Sequence, residues 1–463
     1  MLTRLPGNSN CQDCSGLPLE VGTYRRFALQ RERQIDRLIT FDAKCLSGNC
    51  RAVASEVWLH QKKPASTRGT CQVAAATMPN FIKQASSMVS NVRDWVHYGK
   101  YFPKPNASQD IDLHIKEAAA WLVRAQDAGH DRGVAYGAVL GEDFLASYPE
   151  TTGYIIPTFL KLAEFYKEPD YLSRAFEMGC WEVALQLSSG AVMAGRADSK
   201  HREPAIFNTG QVLLGWSALQ KERPDAGFRS AGIRAADWLL SKQEEDGNWI
   251  HGNSPLAKPG ATVYNVKAAW GLAEFGAITS IPHYVDAAIK NAEYAMRHQL
   301  QSGWFEKCCL TDSERPLLHT IAYAMQGLIG IGRRTKRADF IQAAQRTADS
   351  LLKLMDSTGF IPGTIDRHFR GAAHWCCLTG TAQTSVVWAE LYQITGGPRY
   401  REAAQRANRY LMSCHDTSSP IPTIRGGITG SWPVWGDYGR YKTLNWATKF
   451  FLDALLLEKQ LAG

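Results

Sequence analysis

Six segments of the chain share a composition that suits a helix buried on every side, and their recurrence limits the possible folds. They are rich in Ala, Gly, Leu and Trp, and they start at residues 152, 208, 265, 319, 381 and 445. The successive starts are therefore 56, 57, 54, 62 and 64 residues apart. Amphipathic segments with Arg, Lys and Glu on one face alternate with them. A helix that is apolar all round is buried, whereas a helix with one apolar face covers it.

This alternation predicts an array of six helical hairpins. An open solenoid usually ends in polar capping repeats, but both ends of this array are apolar. We therefore expect residues 113–124, the first amphipathic segment, to pack against residues 445–457, the last buried one. The predicted fold is all-α, an (α/α)6 toroid over residues 106–463 with an inner ring of buried helices; the open solenoid is the alternative.

Residues 1–105 form a predicted basic N-terminal extension that contains cysteines. They hold 15 Lys or Arg against 7 Asp or Glu, which accounts for the whole net charge of +8. Such a charge suits an acidic partner or a solvated extension equally well. Two cysteine pairs, Cys11 with Cys14 and Cys45 with Cys50, could hold a structural zinc ion or remain free thiols. No cofactor is expected for the toroid, and no nucleic-acid-binding signature is present.

The apolar runs bear on where the protein resides. The longest of them are far shorter than the stretch of about 20 residues that crosses a bilayer. Residues 1–16 contain no apolar core of the kind found in secretory signals. The sequence therefore predicts a cytoplasmic protein with no membrane span.

Polar residues stand at the start of each predicted inner helix, and the Gly- and Trp-rich connections before them should open on one rim of the ring. Six helix N-termini there would direct free N–H groups and positive dipole ends at one mouth, which suits a ligand with carboxylates and hydroxyls. N-capping is the alternative explanation for these residues. They are Glu150, Thr152, Asn208, Tyr264, Asn265, His319, Thr379, Thr381, Tyr441 and Asn445.

Two loops carry further candidates. Residues 364–375 hold Asp366, Arg370 and His374 beside Trp375, and an Arg can clamp a carboxylate while a His exchanges a proton. A salt-bridged structural loop is the alternative. Residues 431–442 offer aromatic faces that stack on sugars or cover a core, with charged residues beside them. The aromatic and charged candidates of this second loop are Trp432, Trp435, Asp437, Tyr438, Arg440, Tyr441 and Lys442, and Lys449 lies one turn into the last inner helix.

The turn Gln243-Glu-Glu-Asp-Gly-Asn-Trp249 resembles the Q-x-x-x-G-x-W turns of class II terpene cyclases, which tie an outer helix to the next repeat. The D-x-D-D acid of those enzymes is absent from the sequence. The zinc site of a protein prenyltransferase cannot be assembled from residues 106–463. A terpenoid cyclase or prenyltransferase-like toroid therefore stays an alternative only.

The run from Tyr148 to Thr158, the start Asn208-Thr-Gly-Gln and the segment from Asn445 to Leu455 resemble bacterial exopolysaccharide-biosynthesis proteins of the VpsJ type. More remotely, residues 110–460 resemble the six-hairpin carbohydrate-active superfamily, which includes glucuronyl C5-epimerases, toroid polysaccharide lyases and unsaturated glucuronyl hydrolases. The resemblance implies an oligo- or polysaccharide partner that contains uronic acid and binds at the mouth, and assembly proteins of a polysaccharide system as further partners.

The resemblance also implies two sets of site residues. Lyases and epimerases transfer the C5 proton of a uronic acid, for which the candidates are Tyr154, Tyr264, His319, Tyr323, His374 and Tyr441. Arg370, Asn208 and Asn265 would neutralise the carboxylate. Hydrolases need two carboxylates, here from Glu150, Asp366 and Asp437. The sequence leaves lyase, epimerase, hydrolase and a non-catalytic glycan-binding protein open.

Overall fold

The computed structural model describes residues 94, 96–105, 108–224, 227–255 and 257–462. The cysteines predicted to hold zinc, Cys11, Cys14, Cys45 and Cys50, lie outside the described residues. The contacts divide the chain between Ser87 and Met88, and every described residue belongs to the second unit, Met88–Gly463.

Twelve α-helices, each bounded within the described residues, make up most of the described part of this unit. They are α1 (Ile111–Asp127), α2 (Pro149–Tyr166), α3 (Pro169–Leu185), α4 (Ile206–Glu222), α5 (Phe228–Ser241), α6 (Val266–Thr279), α7 (Pro282–Arg297), α8 (Leu318–Thr335), α9 (Ala338–Leu354), α10 (Leu378–Thr395), α11 (Pro398–Met412) and α12 (Asn445–Ala462). Short 3-10 helices occupy Gly99–Tyr101 and Val263–Asn265.

The even-numbered helices form a closed inner ring. Each packs against the next even-numbered helix along the chain, and α12 packs against α2. The odd-numbered helices form the outer layer, in which α1 packs against α12. The predicted (α/α)6 toroid is therefore confirmed, together with the pairing of the first amphipathic helix with the last buried one.

Glycines let the inner helices approach one another closely. A Cβ atom on Gly153 of α2 would lie 2.5 Å from the Cα atom of Val212 in α4. A Cβ atom on Gly210 of α4 would lie 2.5 Å from the Cα atom of Ala268 in α6. Real Cβ atoms do not come so near to another backbone, so these helices can pack at this distance only because glycine stands at the contact.

One glutamine contact recurs where outer helices end. The side chains of Gln186, Gln243 and Gln299 each donate Nε2–H bonds to a glycine carbonyl four residues later and to a carbonyl of the next outer helix. For Gln243 the acceptors are Gly247 at 3.1 Å and Ala287 at 2.9 Å. The turn that resembles those of terpene cyclases therefore joins neighbouring hairpins, and the same joint occurs in turns that lack part of the motif.

Four short strands reinforce the rim at which the inner helices begin. They are β1 (Gly137–Val139), β2 (Cys376–Cys377), β3 (Ser431–Trp432) and β4 (Lys442–Leu444). β1 pairs antiparallel with β4, and β2 with β3. The first pair links the connection before α2 to the connection before α12, so it closes the ring at the rim. Among the described residues, no helix is long and apolar enough to cross a membrane.

Candidate functional site

A continuous set of polar and aromatic side chains lines the centre of the rim. The imidazole of His319 lies 5.2 Å from the Tyr438 ring, and the Tyr438 hydroxyl accepts a 2.7 Å hydrogen bond from Trp446. The rings continue from Trp446 to Tyr136 at 4.7 Å and from Tyr136 to Tyr148 at 5.3 Å. We call this set the recess; with Glu150, which contacts Tyr148, it comprises Tyr136, Tyr148, Glu150, His319, Tyr438 and Trp446.

Five aromatic rings form the floor of the recess, three from deeper positions of the inner helices and two, Phe207 and Tyr264, from near the starts of α4 and α6. Phe450 of α12 lies 5.4 Å from the Tyr154 ring of α2 and 6.4 Å from the Tyr323 ring of α8. Phe207 lies 4.7 Å from Tyr323 and 5.5 Å from Tyr264. All five are under 9% exposed, so a ligand held at the centre of the rim rests on an aromatic surface.

Glu150 is the carboxylic acid of the recess. It is the second residue of α2, and its Oε2 accepts a 3.2 Å hydrogen bond from the Tyr148 hydroxyl. Protein surrounds the carboxyl group although part of its surface still meets solvent, as expected for a residue that lines a recess. Burial raises the pKa of Glu150 to about 7, and the hydrogen bond from Tyr148 opposes this rise. Near neutrality the group can therefore either give or take a proton.

The tyrosines around Glu150 are hydroxyl donors. Burial, followed by the charge of Tyr323 and then of Glu150, raises the pKa of Tyr154. Burial and then the charge of Glu150 raise the pKa of Tyr323 and of Tyr264. The hydroxyl of Tyr264 already donates to Oδ1 of Asn253 at 2.6 Å. The three phenols therefore stay protonated at neutral pH.

His319 is held as a neutral imidazole. Its Nδ1 lies 2.7 Å from Oε1 of Gln383, whose amide nitrogen donates to Gln326 at 3.3 Å. Because the Gln383 oxygen can only accept, this assignment puts the proton of the imidazole on Nδ1 and leaves Nε2 as an acceptor. Burial lowers the pKa of His319 to about 4. The ring can therefore accept a hydrogen bond from a hydroxyl at the rim.

The asparagines at the helix starts hold connecting segments in place. Nδ2 of Asn208 donates to the Met193 carbonyl at 3.0 Å, and Nδ2 of Asn445 donates to the Ala135 carbonyl at 2.8 Å. Nδ2 of Asn265 donates to Oδ1 of Asn253 at 3.1 Å. Each is under 3% exposed. These side chains therefore tie the rim loops to the inner helices.

The loop 364–375 lies apart from the recess. Asp366 accepts from the backbone nitrogens of His368 and Arg370 and from Nε of Arg370 at 2.9 Å. Hydrogen bonds from Arg370 lead the interactions that lower the pKa of Asp366 against the opposing effect of its burial. Arg370 and His374 are exposed. Residues 364–375 therefore form a salt-bridged structural loop, which was the alternative interpretation of these residues.

Trp375 and Asp437 do come together, at a separate cavity of about 270 Å³ on the rim. Asp312, Arg315, Leu317 and Thr364 line it as well. Nε of Arg315 donates to Oδ2 of Asp312 at 3.1 Å. The cavity offers one aromatic face and several charged groups, but it lacks the aromatic floor of the recess.

The remaining predicted residues lie elsewhere. The Tyr441 ring stacks on Tyr98 at 4.7 Å and belongs to a small apolar cluster separate from the main core. Trp435 is 47% exposed and lies 5.9 Å from Phe102. Lys449 lies below the floor, where its Nζ makes a 2.6 Å ion pair with Asp453. The structure therefore groups six of the candidates at the recess and its floor: Glu150, Tyr154, Tyr264, His319, Tyr323 and Tyr438.

Sequence reasoning did not single out Tyr136, Tyr148, Gln383 and Trp446. Gln383 carries a usable signal, since it is the one glutamine in the first half of a segment that is predicted to be buried on every side. Tyr148 directly precedes the Pro-Glu that starts α2, but nothing in the sequence shows that its hydroxyl reaches Glu150. Within the described residues, no group of three or more His, Cys, Asp or Glu side chains has a metal-binding arrangement.

No protein-family model matches the sequence, and no curated protein matches it either. Solved structures do resemble it. An unsaturated glucuronyl hydrolase from Bacillus sp. GL1 is 16% identical, with a TM-score of 0.60 over 75% of this chain and 96% of that one. Cellobiose 2-epimerase from Bacillus thermoamylovorans B4167 is 10% identical, with a TM-score of 0.61 over 75% of this chain and 98% of that one.

A polysaccharide lyase is also similar in structure. It is 12% identical to this chain, with a TM-score of 0.53 over 77% of this chain and 98% of the other. The three proteins are named for different reactions on carbohydrates, and they share with this chain the toroid. At these identities the likeness concerns the fold, so the reaction has to be argued from the residues of the recess.

Proposed function

We propose that this protein is a carbohydrate-active enzyme that binds an oligo- or polysaccharide at the recess and transfers a proton through Glu150. The observation that carries the proposal is a single carboxyl group whose pKa is raised to about 7, set among tyrosines at the mouth of the ring. A general acid or base works best when its pKa lies near the pH of the reaction.

The lining of the recess suits a sugar. Tyrosine and tryptophan rings offer flat apolar faces for the C–H side of a pyranose, and their hydroxyl and N–H groups bind its oxygens. Nε2 of neutral His319 can accept from a sugar hydroxyl. Structures named for a glucuronyl hydrolase, a cellobiose epimerase and a polysaccharide lyase share this fold, which supports a glycan as the ligand.

Proton transfer fits the recess better than two-carboxylate hydrolysis. Hydrolysis by the usual mechanism places two carboxyl groups on either side of the scissile bond. Of the described residues that line the recess, only Glu150 supplies a carboxyl group. Asp366 is bound within its own loop, and Asp437 lies at the separate rim cavity. A lyase or epimerase reaction, with Glu150 and a tyrosine or His319 exchanging protons, therefore has the stronger support.

The identity of the glycan extends this proposal. On the resemblance of residues 148–158 and 445–455 to exopolysaccharide-biosynthesis proteins of the VpsJ type, we assign the enzyme to the biosynthesis or modification of a uronic-acid-containing polysaccharide in the cytoplasm. Its protein partners would then be assembly proteins of that system. An isoprenoid ligand is the competing possibility for an aromatic floor.

The test is to incubate the purified protein with uronic-acid polysaccharides in deuterated buffer. Ultraviolet absorbance detects an unsaturated lyase product, deuterium at C5 detects an epimerase, and a reducing-end assay detects hydrolysis. We expect E150Q to be slower by a factor of about 100 or more, the usual contribution of general acid–base catalysis.

The matched control is E142Q, the same change at an exposed rim residue, which should retain the wild-type rate. Equal rates for E150Q and wild type would remove Glu150 from the reaction. Saturable glycan binding with no conversion would identify a binding protein, and conversion of a prenyl diphosphate instead would reassign the ligand class.

A further inference from the structure

Below the aromatic floor, the inside of the ring contains a buried lysine without an acidic partner. Lys267 of α6 is 4% exposed, and its Nζ lies 4.2 Å from the centroid of Trp270 and 6.0 Å from that of Phe450. No carboxylate of the described residues lies within ion-pair distance of this nitrogen. A buried ammonium group normally has a counter-charge, because desolvation disfavours an isolated charge.

A second lysine, Lys449, also lies against the aromatic ring of Phe450. Nζ of Lys449 is 4.2 Å from the centroid of Phe450, and the side chain is likewise almost fully buried. Its partner is Asp453, at 2.6 Å, and Asp453 also accepts a 2.9 Å hydrogen bond from Thr158. One carboxylate therefore serves Lys449, and none serves Lys267. The pair of lysines carries an excess of positive charge whenever both are protonated.

The position of Lys267 is distinct from the recess. A Cβ atom on Gly327 of α8 would lie 2.7 Å from the Lys267 backbone nitrogen, so the two residues are at the same level of the ring. Gly327 follows His319 by eight residues, which corresponds to about 12 Å along a helix. Tyr154, Tyr323 and Phe450 lie between the two levels.

The lysine pair is connected to the opposite face of the ring. Nζ of Lys161, in the C-terminal part of α2, lies 3.9 Å from Oδ1 of Asp453, and the side chain of Lys161 is 52% exposed. Arg333, in the last turn of α8, is equally exposed and lies 3.7 Å from Glu390 of α10. Two solvent-exposed cations, Lys161 and Arg333, therefore lie on the side of the lysine pair that faces away from the recess.

We propose that Lys267 and Lys449 form an anion-binding site inside the ring, which takes a small oxyanion, a sulfate or a carboxylate, from the face opposite the recess. The bound anion supplies the counter-charge that Lys267 lacks, with charge-assisted hydrogen bonds from the two ammonium groups. This site goes beyond the proposed function, since it requires neither a glycan nor turnover.

The site should bind more tightly at lower pH. Burial, and then the neighbouring charge of Lys449, lower the pKa of Lys267, while Glu390 and Asp453 oppose this and Lys161 adds to it. The free site therefore gives up the Lys267 proton more readily than an exposed lysine does, and a bound anion favours retention of that proton. As the pH rises, that proton becomes harder to supply, so the affinity falls.

The experiment is calorimetric titration of sodium sulfate into the full chain at constant ionic strength, at pH 6 and pH 8. Wild type should bind one sulfate per chain, more weakly at pH 8, with proton uptake visible in buffers of different ionisation enthalpy. K267M, which keeps the length of the side chain in an apolar site, should bind at least about tenfold more weakly. Acetate in place of sulfate tests the carboxylate.

Two controls separate this site from other binding. K353M removes the same charge from an exposed position of outer helix α9 and should bind sulfate like wild type, as should E150Q. No saturable binding by wild type, or equal affinities for K267M and K353M, would overturn the proposal. If K267M fails to fold, the absence of proton uptake by wild type would overturn it equally.

Discussion

At the scale of single residues, the environment of Glu150 determines what the recess can do. An exposed glutamate is ionised at neutral pH and holds its proton poorly. Burial in the rim raises the pKa of Glu150 to about 7, and the hydrogen bond from the Tyr148 hydroxyl partly opposes this by stabilising the ionised carboxylate. A carboxyl group that is half protonated at neutral pH can act in both directions of a proton transfer.

The same shift makes the free energy of unfolding depend on pH. Folded Glu150 keeps its proton up to about pH 7, whereas the unfolded chain loses it near pH 4.5, so folding stability falls as the pH rises between these values. E150Q lacks this titration. We expect E150Q to gain about 1–3 kcal/mol relative to wild type on going from pH 5 to pH 8, with the full linkage value reduced by the solvent at the recess.

Urea unfolding of both proteins at pH 5 and pH 8 measures this difference. E142Q changes an exposed carboxyl group and should show no such pH-dependent gain. A constant difference between E150Q and wild type at both pH values would mean that Glu150 is ionised in the folded protein.

Gln383 is a positioning residue for His319. Its side-chain oxygen lies 2.7 Å from Nδ1 of His319 and accepts the hydrogen bond that keeps the proton on that nitrogen. Q383E would place a carboxylate there and favour the imidazolium, so the pKa of His319 should rise from about 4 by one unit or more. Nitrogen-15 NMR of the imidazole rings measures the change, with exposed His374 as an internal reference. An unchanged titration of His319 would show that Gln383 does not contact the ring in solution.

At the scale of the helix, the positions of glycine set how closely the inner ring packs. At Gly153 a methyl group would meet the backbone of Val212 at 2.5 Å, so α2 and α4 would have to separate. We expect G153A to lose about 1–3 kcal/mol of unfolding free energy, the usual cost of overpacking. Thermal and urea unfolding test this. G99A, where nothing lies within 4 Å of the added methyl group, should unfold like wild type.

The sequence was sufficient to predict the helices and their layers, because the contrast between apolar and amphipathic segments survives in every repeat. It was insufficient to separate structural from reactive polar residues at the rim. Asn208 and Glu150 both stand near a helix start, yet Asn208 holds a loop carbonyl while Glu150 meets Tyr148. That distinction depends on how loops fold across the rim. The charge density of residues 364–375 was misleading for the same reason, since Asp366 is satisfied within its own turn.

At the scale of the whole molecule, contacts between distant parts of the sequence close the ring. Nε1 of Trp121 in α1 donates to the Thr423 carbonyl at 2.9 Å across 302 residues of sequence. β1 and β4 pair at the rim, so the N-terminal and the C-terminal parts of the toroid sequence both contribute to the recess. Tyr136 and Tyr148 come from the N-terminal part of this sequence, and Tyr438 and Trp446 come from its C-terminal part. The recess can therefore exist only in the closed ring.

The glutamine contacts at the ends of outer helices also link neighbouring hairpins in the outer layer. Gln243 links the end of α5 to α7 by hydrogen bonds to Gly247 and Ala287. Q243L removes both donated bonds, while the Gly247 carbonyl keeps its 2.8 Å bond from Asn291, so the loss of two hydrogen bonds should cost about 1–3 kcal/mol. Because each hairpin packs against the next, the loss of these hydrogen bonds should lower the midpoint of a single cooperative unfolding transition.

Calorimetry and urea unfolding distinguish that outcome from local fraying. Q393L, the same change at an exposed position of α10, is the matched control and should unfold like wild type. A separate early transition in Q243L would mean that the hairpins unfold independently, as in an open array. An unchanged midpoint would mean that the ring is held by its inner helices and that the outer joints only shape the turns.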